Sequence, residues 1–353
     1  MGAEIGPSNI EAAFLLEALK KGTRVDGRGI YDYRTLKISC GPTYGLAEVQ
    51  LGQTRVLARV SCEVTRPFPD RPTEGIVLFN TELSSMAGFG LDSSRSSTQE
   101  VAISRMVERV IKQSRAIDAE ALCILAGEKV WTVRIDVHFL DHGGNLIDAA
   151  SIAAIAALRH FRRPDVTVDG EEAIIHDVRE RNPVPLSIHH TPICVTFGFF
   201  GSTGDMLVLD PTLLEEQVQV SSFTITLNSH REICALNKAG GIPLSPDQIQ
   251  RCTQVALAKV DELYSACSRM DQIMYEIMVQ TPTEIGLGYA QPTALHISTD
   301  ARYIVTAPAV YYYEKLTPSQ TTEYVWEEEV IQAMSDIQAL IDEGAKPENN
   351  NFQ

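Results

Sequence analysis

Apolar and polar residues alternate along four short segments in the first quarter of the chain, and this pattern predicts β-strands. Short turns at Gly41-Pro42 and Gly52-Gln53 separate the first three segments, so antiparallel hairpins are the simplest arrangement. The predicted strands span residues 35–39, 45–51, 54–64 and 75–83.

Apolar residues three or four positions apart predict helices over residues 9–19 and 98–115. Between residues 133 and 163 the two patterns follow one another. Residues 133–140 alternate and predict a strand, whereas residues 146–161 are alanine-rich and apolar nearly all round. The second segment predicts a helix that is buried on several sides, and we expect the rest of the chain to be organised around it.

Strands followed by a helix return in the second half of the chain. Two such rounds predict an α+β fold in which two similar halves pack together. The second-half strands are predicted over residues 186–200, 206–209, 221–227 and 232–236, before a helix over residues 245–270. A mixed, strand-like pattern over residues 281–315 and a helix over residues 325–341 are predicted to close the fold.

These patterns divide the chain into six parts. They are an N-terminal helix and turn (1–29), a first half (30–163), a polar connector (164–185), a second half (186–275), a C-terminal extension (276–344) and a disordered tail (345–353).

The glycine pair Gly143-Gly144 separates the predicted central strand from the central helix. A strand, two glycines and a helix start often bind anions, because first-turn amides lack intrahelical partners and the helix dipole favours negative charge. Asn145 and Asp148 favour a self-capped helix instead. Asn145 is a good N-cap residue, and the Asp148 carboxylate would compete with a phosphate for the same amides. The residues alone leave both interpretations open.

Composition limits the function further. The net charge is -16, which argues against a protein that coats nucleic acid by itself, so any RNA contact must be a local patch. The chain lacks an apolar run long enough to span a membrane and a secretory pattern at its N-terminus. Its seven cysteines show no C-x-x-C spacing, and we expect buried free thiols in a reducing compartment.

Basic residues stand out at two places. Arg24 and Arg28 flank an Asp26-Gly27 turn, which predicts an ion-paired corner. Arg105, Arg109 and Lys112 fall on one stripe of the predicted helix 98–115, opposite its apolar side. Such a stripe is either a solvated face or a contact for an anion or an acidic partner.

Several kinds of chemistry are not indicated. No G-x-S-x-G motif is present. His138 and His142 lie too far apart on a strand to share one metal ion. We therefore expect neither a metal nor a cofactor.

A combination of motifs resembles the RNase PH family over about residues 8–300. It comprises R-x-D-G-R at 24–28, GLAEVQLGQTRVLARVSCEV at 45–64, the helix at 100–118 and DHGGNLIDAASIAAIAALRHFRRP at 141–164. NPVPLSIHHTPICVTF at 182–197 and LDPTLLEEQ at 209–217 resemble one branch, the polymyositis/scleroderma autoantigen type of ring subunit in the eukaryotic RNA exosome. The resemblance implies an RNase PH-like (ribosomal protein S5 domain 2-like) fold with two βαβα halves.

Active members of this family degrade RNA from its 3′ end with inorganic phosphate. They hold the phosphate with a Gly-Thr/Ser-Arg sequence after the glycine pair and use an aspartate as general acid. Here Asn145 and Leu146 stand at the hydroxyl and arginine positions, and Gln217 and Phe223 stand at the aspartate positions. The resemblance therefore implies a degenerate phosphate site at Gly143, Gly144, Asn145 and Leu146, with no catalytic residues.

The function implied is a non-catalytic subunit of the exosome core ring that supports RNA processing and degradation, including rRNA processing and mRNA turnover. Expected partners are other RNase PH-like ring subunits, S1/KH cap subunits, an associated hydrolytic nuclease, and RNA that Arg105, Arg109 and Lys112 contact in the ring. The same arginines could instead pair with acids of a neighbouring subunit. The expected localisation is the nucleus, nucleolus and cytoplasm, with no membrane partner.

Two rival functions stay open. One is an active phosphorolytic 3′-to-5′ exoribonuclease whose residues are displaced in sequence. The other is a small-molecule kinase on a related two-half fold, which the absence of a lysine-containing phosphate loop disfavours.

Overall fold

A computed structural model of the protein describes residues 6–41, 43–84, 87, 98–170, 172–177, 180–201, 204–280 and 295–298. All of them belong to one compact unit, Met1–Pro308, and a second unit, Ala309–Gln353, lies outside them. The helix predicted over residues 325–341, the tail 345–353 and most of the strand-like stretch 281–315 therefore lie outside the described residues.

The described helices are α1 (Asn9–Lys20), α2 (Thr98–Glu108), α3 (Leu146–His160), α4 (Leu213–Val218) and α5 (Pro246–Gln280). The described strands are β1 (Leu36–Cys40), β2 (Leu46–Leu51), β3 (Thr54–Thr65), β4 (Ile76–Leu83), β5 (Cys123–Leu125), β6 (Lys129–Asp141), β7 (Arg162–Arg163), β8 (Val166–Asp169), β9 (Glu172–Ile175), β10 (Val184–Pro185), β11 (Ile193–Phe200), β12 (Met206–Leu209), β13 (Ser221–Leu227), β14 (Ile233–Asn237) and β15 (Leu295–Ser298).

Two sheets form the framework. The larger has the order β15-β1-β2-β3-β6-β4, with β5 also paired to β6, and the smaller has the order β12-β11-β13-β14. Neighbouring strands are antiparallel except β4 and β6, which run parallel. β15 follows the long helix α5 of the second half but pairs with β1 of the first half. The C-terminal part of the described chain thus ties the two halves together.

Helix α3 lies between the two sheets, packed on β2 and β3 on one side and on β11 on the other. Six of its alanines are completely buried, and their small side chains let both sheets approach the helix closely. They are Ala149, Ala150, Ala153, Ala154, Ala156 and Ala157. Helix α5 also packs on β11 and β13, so β11 is buried along its whole length. The predicted α+β fold and its central buried helix are confirmed.

Most predicted elements are present within a few residues, and β12 and β13 match their predicted bounds. The strand predicted over 186–200 begins only at Ile193, because residues 187–189 pair with residues 116–118 outside any regular strand. The predicted connector 164–185 contains the hairpin β8–β9 as well as β10, which pairs with β7 just before the connector. The second-half helix continues to Gln280, ten residues beyond its predicted end at Met270.

The helix predicted over 98–115 is regular only to Glu108 and continues as a π-helical segment, Arg109–Gln113. Helix α1 begins with a capping box, in which the Ser8 hydroxyl accepts the Glu11 N–H and the Glu11 carboxylate accepts the Ser8 N–H. All seven cysteines are free thiols, although Cys62, Cys123 and Cys234 are only half-buried. In the described part of the chain, no helix combines the length and apolar character that a membrane span needs.

Candidate functional site

The glycine pair is closed by helix α4. The Leu213 N–H donates to the Gly143 carbonyl over 3.0 Å. Gly144 has a φ of +94°, and a Cβ added there would lie 2.4 Å from the Leu213 nitrogen. Both constraints favour glycine, because a side chain would meet the backbone at the start of α4. The backbone at the start of α4 therefore occupies the space beside the glycine pair that side chains would otherwise fill.

The Arg34 side chain donates hydrogen bonds to the backbone of the glycine pair. Its guanidinium donates to the carbonyl oxygens of Gly143 and Gly144, over 2.9 and 3.0 Å, and also to Asp210 and Thr54. The cation beside the glycine pair is therefore engaged in internal contacts.

Asn145 is the N-cap residue of α3, but it does not cap the helix through its side chain. It has a left-handed backbone with φ of 53°, and its Nδ2 donates to Asp148 and Asp210 over 2.8 and 2.7 Å. Its backbone N–H donates to Glu216 Oε1 over 2.7 Å. The predicted side-chain cap is wrong. The Asn145 side chain donates to two buried carboxylates and accepts no hydrogen bond from a first-turn amide of α3.

Glu216 lies at the Asn145 N–H, where a phosphate would bind if the glycine pair formed an anion site. Because its carboxylate accepts the Asn145 N–H, a side chain of the protein takes the place of an external anion. Gln217, which the sequence comparison matched to the general acid, is exposed, and Phe223 is buried in β13. The neighbouring residue Glu216, a carboxylate, is thus the side chain that bonds to the backbone after the glycine pair.

Asp148 does not serve the first-turn amides as predicted. It is completely buried, and its carboxylate accepts hydrogen bonds from the Tyr33 hydroxyl, Asn145 Nδ2, and the N–H and hydroxyl of Thr196 on β11. Burial raises the pKa of Asp148 to about 6, against the lowering effect of these donors. Asp148 therefore links α3 to the second half.

Asp210 is the second buried carboxylate of the cluster. It accepts from the backbone and guanidinium of Arg34, from Arg28, and from Asn145 Nδ2. Burial opposes its ionisation, but the hydrogen bonds and charge of Arg34 hold its pKa below the usual value for an aspartate. Asp210 is therefore the ionised centre of the cluster.

The R-x-D-G-R turn is ion-paired, as its sequence predicted. Arg24 is buried and donates to Glu215 on α4 and to the carbonyl oxygens of Leu209 and Asp210. Arg28 pairs with Asp26 over 2.6 Å and with Asp210. The turn therefore fastens the N-terminal segment to α4.

Sequence reasoning did not place the acids of residues 210–216 beside the glycine pair. Their partners lie up to 191 residues away in the chain, and no local period carries that information. One local signal was present, because Thr212-x-x-Glu215 has the spacing of a capping box and both of its hydrogen bonds form. That spacing could have predicted α4.

The other predicted site residues fall into two groups. Leu146 is 3% exposed and belongs to the core, so it presents no cation to the glycine pair. Arg105, Arg109 and Lys112 are exposed on the outer side of α2 and its π-helical extension. Lys112 pairs with Glu108 over 3.2 Å, whereas the two arginines have no ion pair within the described residues. The structure does not bring this stripe together with the glycine pair.

A cleft of about 610 Å³ opens beside the ion-paired turn. Helix α4 forms one wall, and the lining mixes apolar with polar and charged side chains. These include Leu15, Val25, Leu213 and Leu214, together with Arg28, Arg34, Gln53 and Gln217.

The chain thus has an α+β fold with two halves around a shared helix, and a glycine pair before that helix. Two family models match the chain: the 3′ exoribonuclease family, domain 1, over residues 32–164, and domain 2 over residues 190–259. Together they cover more than half of the chain, which therefore belongs to the RNase PH, or 3′ exoribonuclease, family.

Within this family the chain is similar to proteins named exosome complex component RRP45. It is 48% identical to the one from Schizosaccharomyces pombe over 278 residues, 79% of this chain and 94% of that protein. It is 52% identical to the zebrafish and human proteins over 256 residues, 72% of this chain. The match covers 65% and 58% of those two proteins, so the chain spans about three fifths of their length.

Solved structures agree with this assignment. An Archaeoglobus fulgidus exosome with RNA bound to the active site contains a chain that is 29% identical, with a TM-score of 0.64. The match covers 73% of this chain and 97% of that one. A chain of an archaeal exosome core is 30% identical, with a TM-score of 0.61, over 74% of this chain and 97% of that one. The predicted RNase PH-like fold is thereby confirmed.

Proposed function

We propose that this chain is a non-catalytic structural subunit of an RNA exosome core ring, in which it helps to form the ring and its RNA channel. The proposed lack of catalysis rests mainly on the glycine pair, which helix α4 covers. Leu146 lies in the core where active relatives have an arginine, and Glu216 occupies the amide that a phosphate would use. A phosphate entering there would meet a carboxylate and lack an arginine to hold it.

The ring role is supported by family membership and by the exosome names of the relatives. The proposed partners are other RNase PH-like ring subunits, S1/KH cap subunits, an associated hydrolytic nuclease and RNA. In this role the chain contributes to rRNA processing and mRNA turnover in the nucleus, nucleolus and cytoplasm.

Arg105 and Arg109 are proposed to contact RNA phosphates in the assembled ring. Replacing both by glutamate should weaken RNA binding by tenfold or more, since two phosphate contacts are lost and repulsion is added. The slope of log affinity against log salt should fall by about 1.4, because each contact with a single strand contributes about 0.7. Since phosphate contacts carry no base information, all RNA sequences should be affected alike. The measurement is RNA binding and crosslinking by a reconstituted ring.

A matched control is Arg66→Glu with Arg71→Glu, which makes the same charge change at exposed arginines in the loop between β3 and β4. That ring should bind RNA as wild type does. Undiminished crosslinking in an intact Arg105→Glu, Arg109→Glu ring would show a solvated face, and loss of assembly would instead place the arginines in a subunit interface.

One observation favours the rival function, an active phosphorolytic exoribonuclease. Burial raises the pKa of Glu216 to about 7, a value suited to a general acid, and its carboxylate faces the glycine pair. A general acid alone does not bind phosphate, so this rival also needs a cation that Leu146 does not supply.

A further inference from the structure

The cluster around Asn145 contains more negative than positive side chains. Three arginines face five carboxylates; one carboxylate is exposed, one arginine and one carboxylate are half-buried, and the other five groups are buried. The arginines are Arg24, Arg28 and Arg34, and the carboxylates are Asp26, Asp148, Asp210, Glu215 and Glu216. The neighbouring His142 accepts the Gly144 N–H at Nδ1. With every acid ionised, the cluster would hold two uncompensated negative charges, and among the acids only Asp26 is exposed to water, which solvates charge far better than the interior does.

The ion pairs show which acids can hold protons. Asp26, Asp210 and Glu215 each form an ion pair with an arginine. Within the described residues, Asp148 and Glu216 form no ion pair with an arginine and accept only from neutral donors. Burial accordingly raises the pKa of Asp148 to about 6 and that of Glu216 to about 7. Asn145 Oδ1 is buried without a partner in the described part of the chain, so the cluster has an acceptor available for a carboxyl proton.

We propose that Glu216 is a proton-dependent latch that holds α4 against the glycine pair and so joins the two halves of the fold. Helix α4 has only six residues. Besides the Glu216 contact, it is attached by the Leu213 N–H to Gly143 hydrogen bond, by the Glu215 to Arg24 ion pair, and by Leu214 and Val218, which pack on Leu15, Leu19, Phe200 and Val208. Protonated Glu216 accepts the Asn145 N–H without adding charge beside Asp210. Ionised Glu216 adds a charge that the cluster does not neutralise, so α4, a wall of the cleft, opens more often.

The direction of the pH dependence of closure follows from the shift in the pKa of Glu216 between the open and closed states. The pKa of Glu216 is raised from 4.5 in the open state to about 7 in the closed state, so its contribution to closure is complete below pH 4.5 and is lost as the pH rises through 7. Between pH 6.0 and 7.5 the closing equilibrium should weaken roughly eightfold for one proton with these two values. Asp148, which titrates near pH 6, contributes mainly below this window.

The experiment is amide hydrogen exchange of the full chain at pH 6.0, 6.5, 7.0 and 7.5, with rates corrected for the intrinsic effect of pH. The peptides that contain Asn145 and Leu213 should lose roughly eightfold in protection across this range. The Glu216→Gln variant keeps an acceptor without a charge, and its protection there should change by no more than roughly twofold, the part that Asp148 contributes in this range. Glu120→Gln, which removes an exposed carboxylate elsewhere, should behave as wild type does.

Protection of these peptides that does not change with pH in the wild-type chain would overturn the proposal, whether or not the Glu216→Gln variant folds. An unchanged pH slope in a folded Glu216→Gln variant would overturn it too, because another group would then be titrating.

Discussion

Replacing Asp210 by alanine is expected to lower the free energy of unfolding by roughly 3 to 5 kcal/mol, the usual cost of removing one partner from a buried ion pair. Asp210 is completely buried and accepts from Arg34, Arg28 and Asn145. Its loss leaves the buried guanidinium of Arg34 without a counter-charge beside the glycine pair. The measurement is urea unfolding at pH 7.5, followed by circular dichroism.

Asp169→Ala is the control, because Asp169 is exposed at the end of β8 and its removal should leave the unfolding midpoint unchanged. Asp210→Asn should fall between wild type and Asp210→Ala, since an amide oxygen still accepts but carries no charge. A midpoint for Asp210→Ala close to that of wild type would mean that water or a rearranged side chain neutralises Arg34, and the cluster would not hold the halves together as described.

Asp148→Ala should cost roughly 2 to 4 kcal/mol, because it leaves the buried donors of Tyr33, Asn145 and Thr196 without their acceptor. This is more than the roughly 0.5 to 1 kcal/mol expected if Asp148 only stabilised first-turn amides. The cost should depend on pH. The pKa of Asp148 is raised to about 6 in the folded state, so its favourable contribution is fully present below pH 3.8 and declines as the pH rises through 6.

The test is the difference in unfolding free energy between wild type and Asp148→Ala at pH 5.0 and pH 7.5, which should be larger at pH 5.0. Asp148→Asn checks whether Asp148 is the group that titrates, since this neutral variant should remove its part of the pH dependence. A cost below roughly 1 kcal/mol at both pH values would support the simpler role at the helix start.

The fold could be predicted from the sequence where burial follows a local period. Residues 206–209 form a short apolar run, residues 223–227 alternate apolar residues with threonine, and the alanine-rich helix α3 must be covered on several sides. Strand 186–200 was predicted too long because Leu186 and Ile188 alternate with polar residues as in a strand. In the structure they pair with the segment after the π-helix and not with a sheet.

The candidate site was predicted only in part. The glycine pair, the apolar Leu146 after it and the ion-paired turn could be recognised along the chain. The sequence could not predict that Asp148, Asp210 and Glu216 lie in one cluster, because the cluster depends on contacts between the two halves. Asn145 has a left-handed backbone and not the extended conformation of a usual N-cap, so its Oδ1 caps no helix amide while its Nδ2 donates to two buried carboxylates.

The central claim is that this RNase PH-like chain does not catalyse phosphorolysis. The most direct test incubates the purified chain, or its dimer with a ring partner whose own site is inactivated, with an RNA oligonucleotide and inorganic phosphate. The released nucleoside diphosphates are then measured. We predict no release above a phosphate-free control at any phosphate concentration, because Leu146 supplies no cation and Glu216 fills the anion position. Phosphate-dependent release that disappears in the Glu216→Gln variant would contradict the account and identify Glu216 as the acid of an active enzyme.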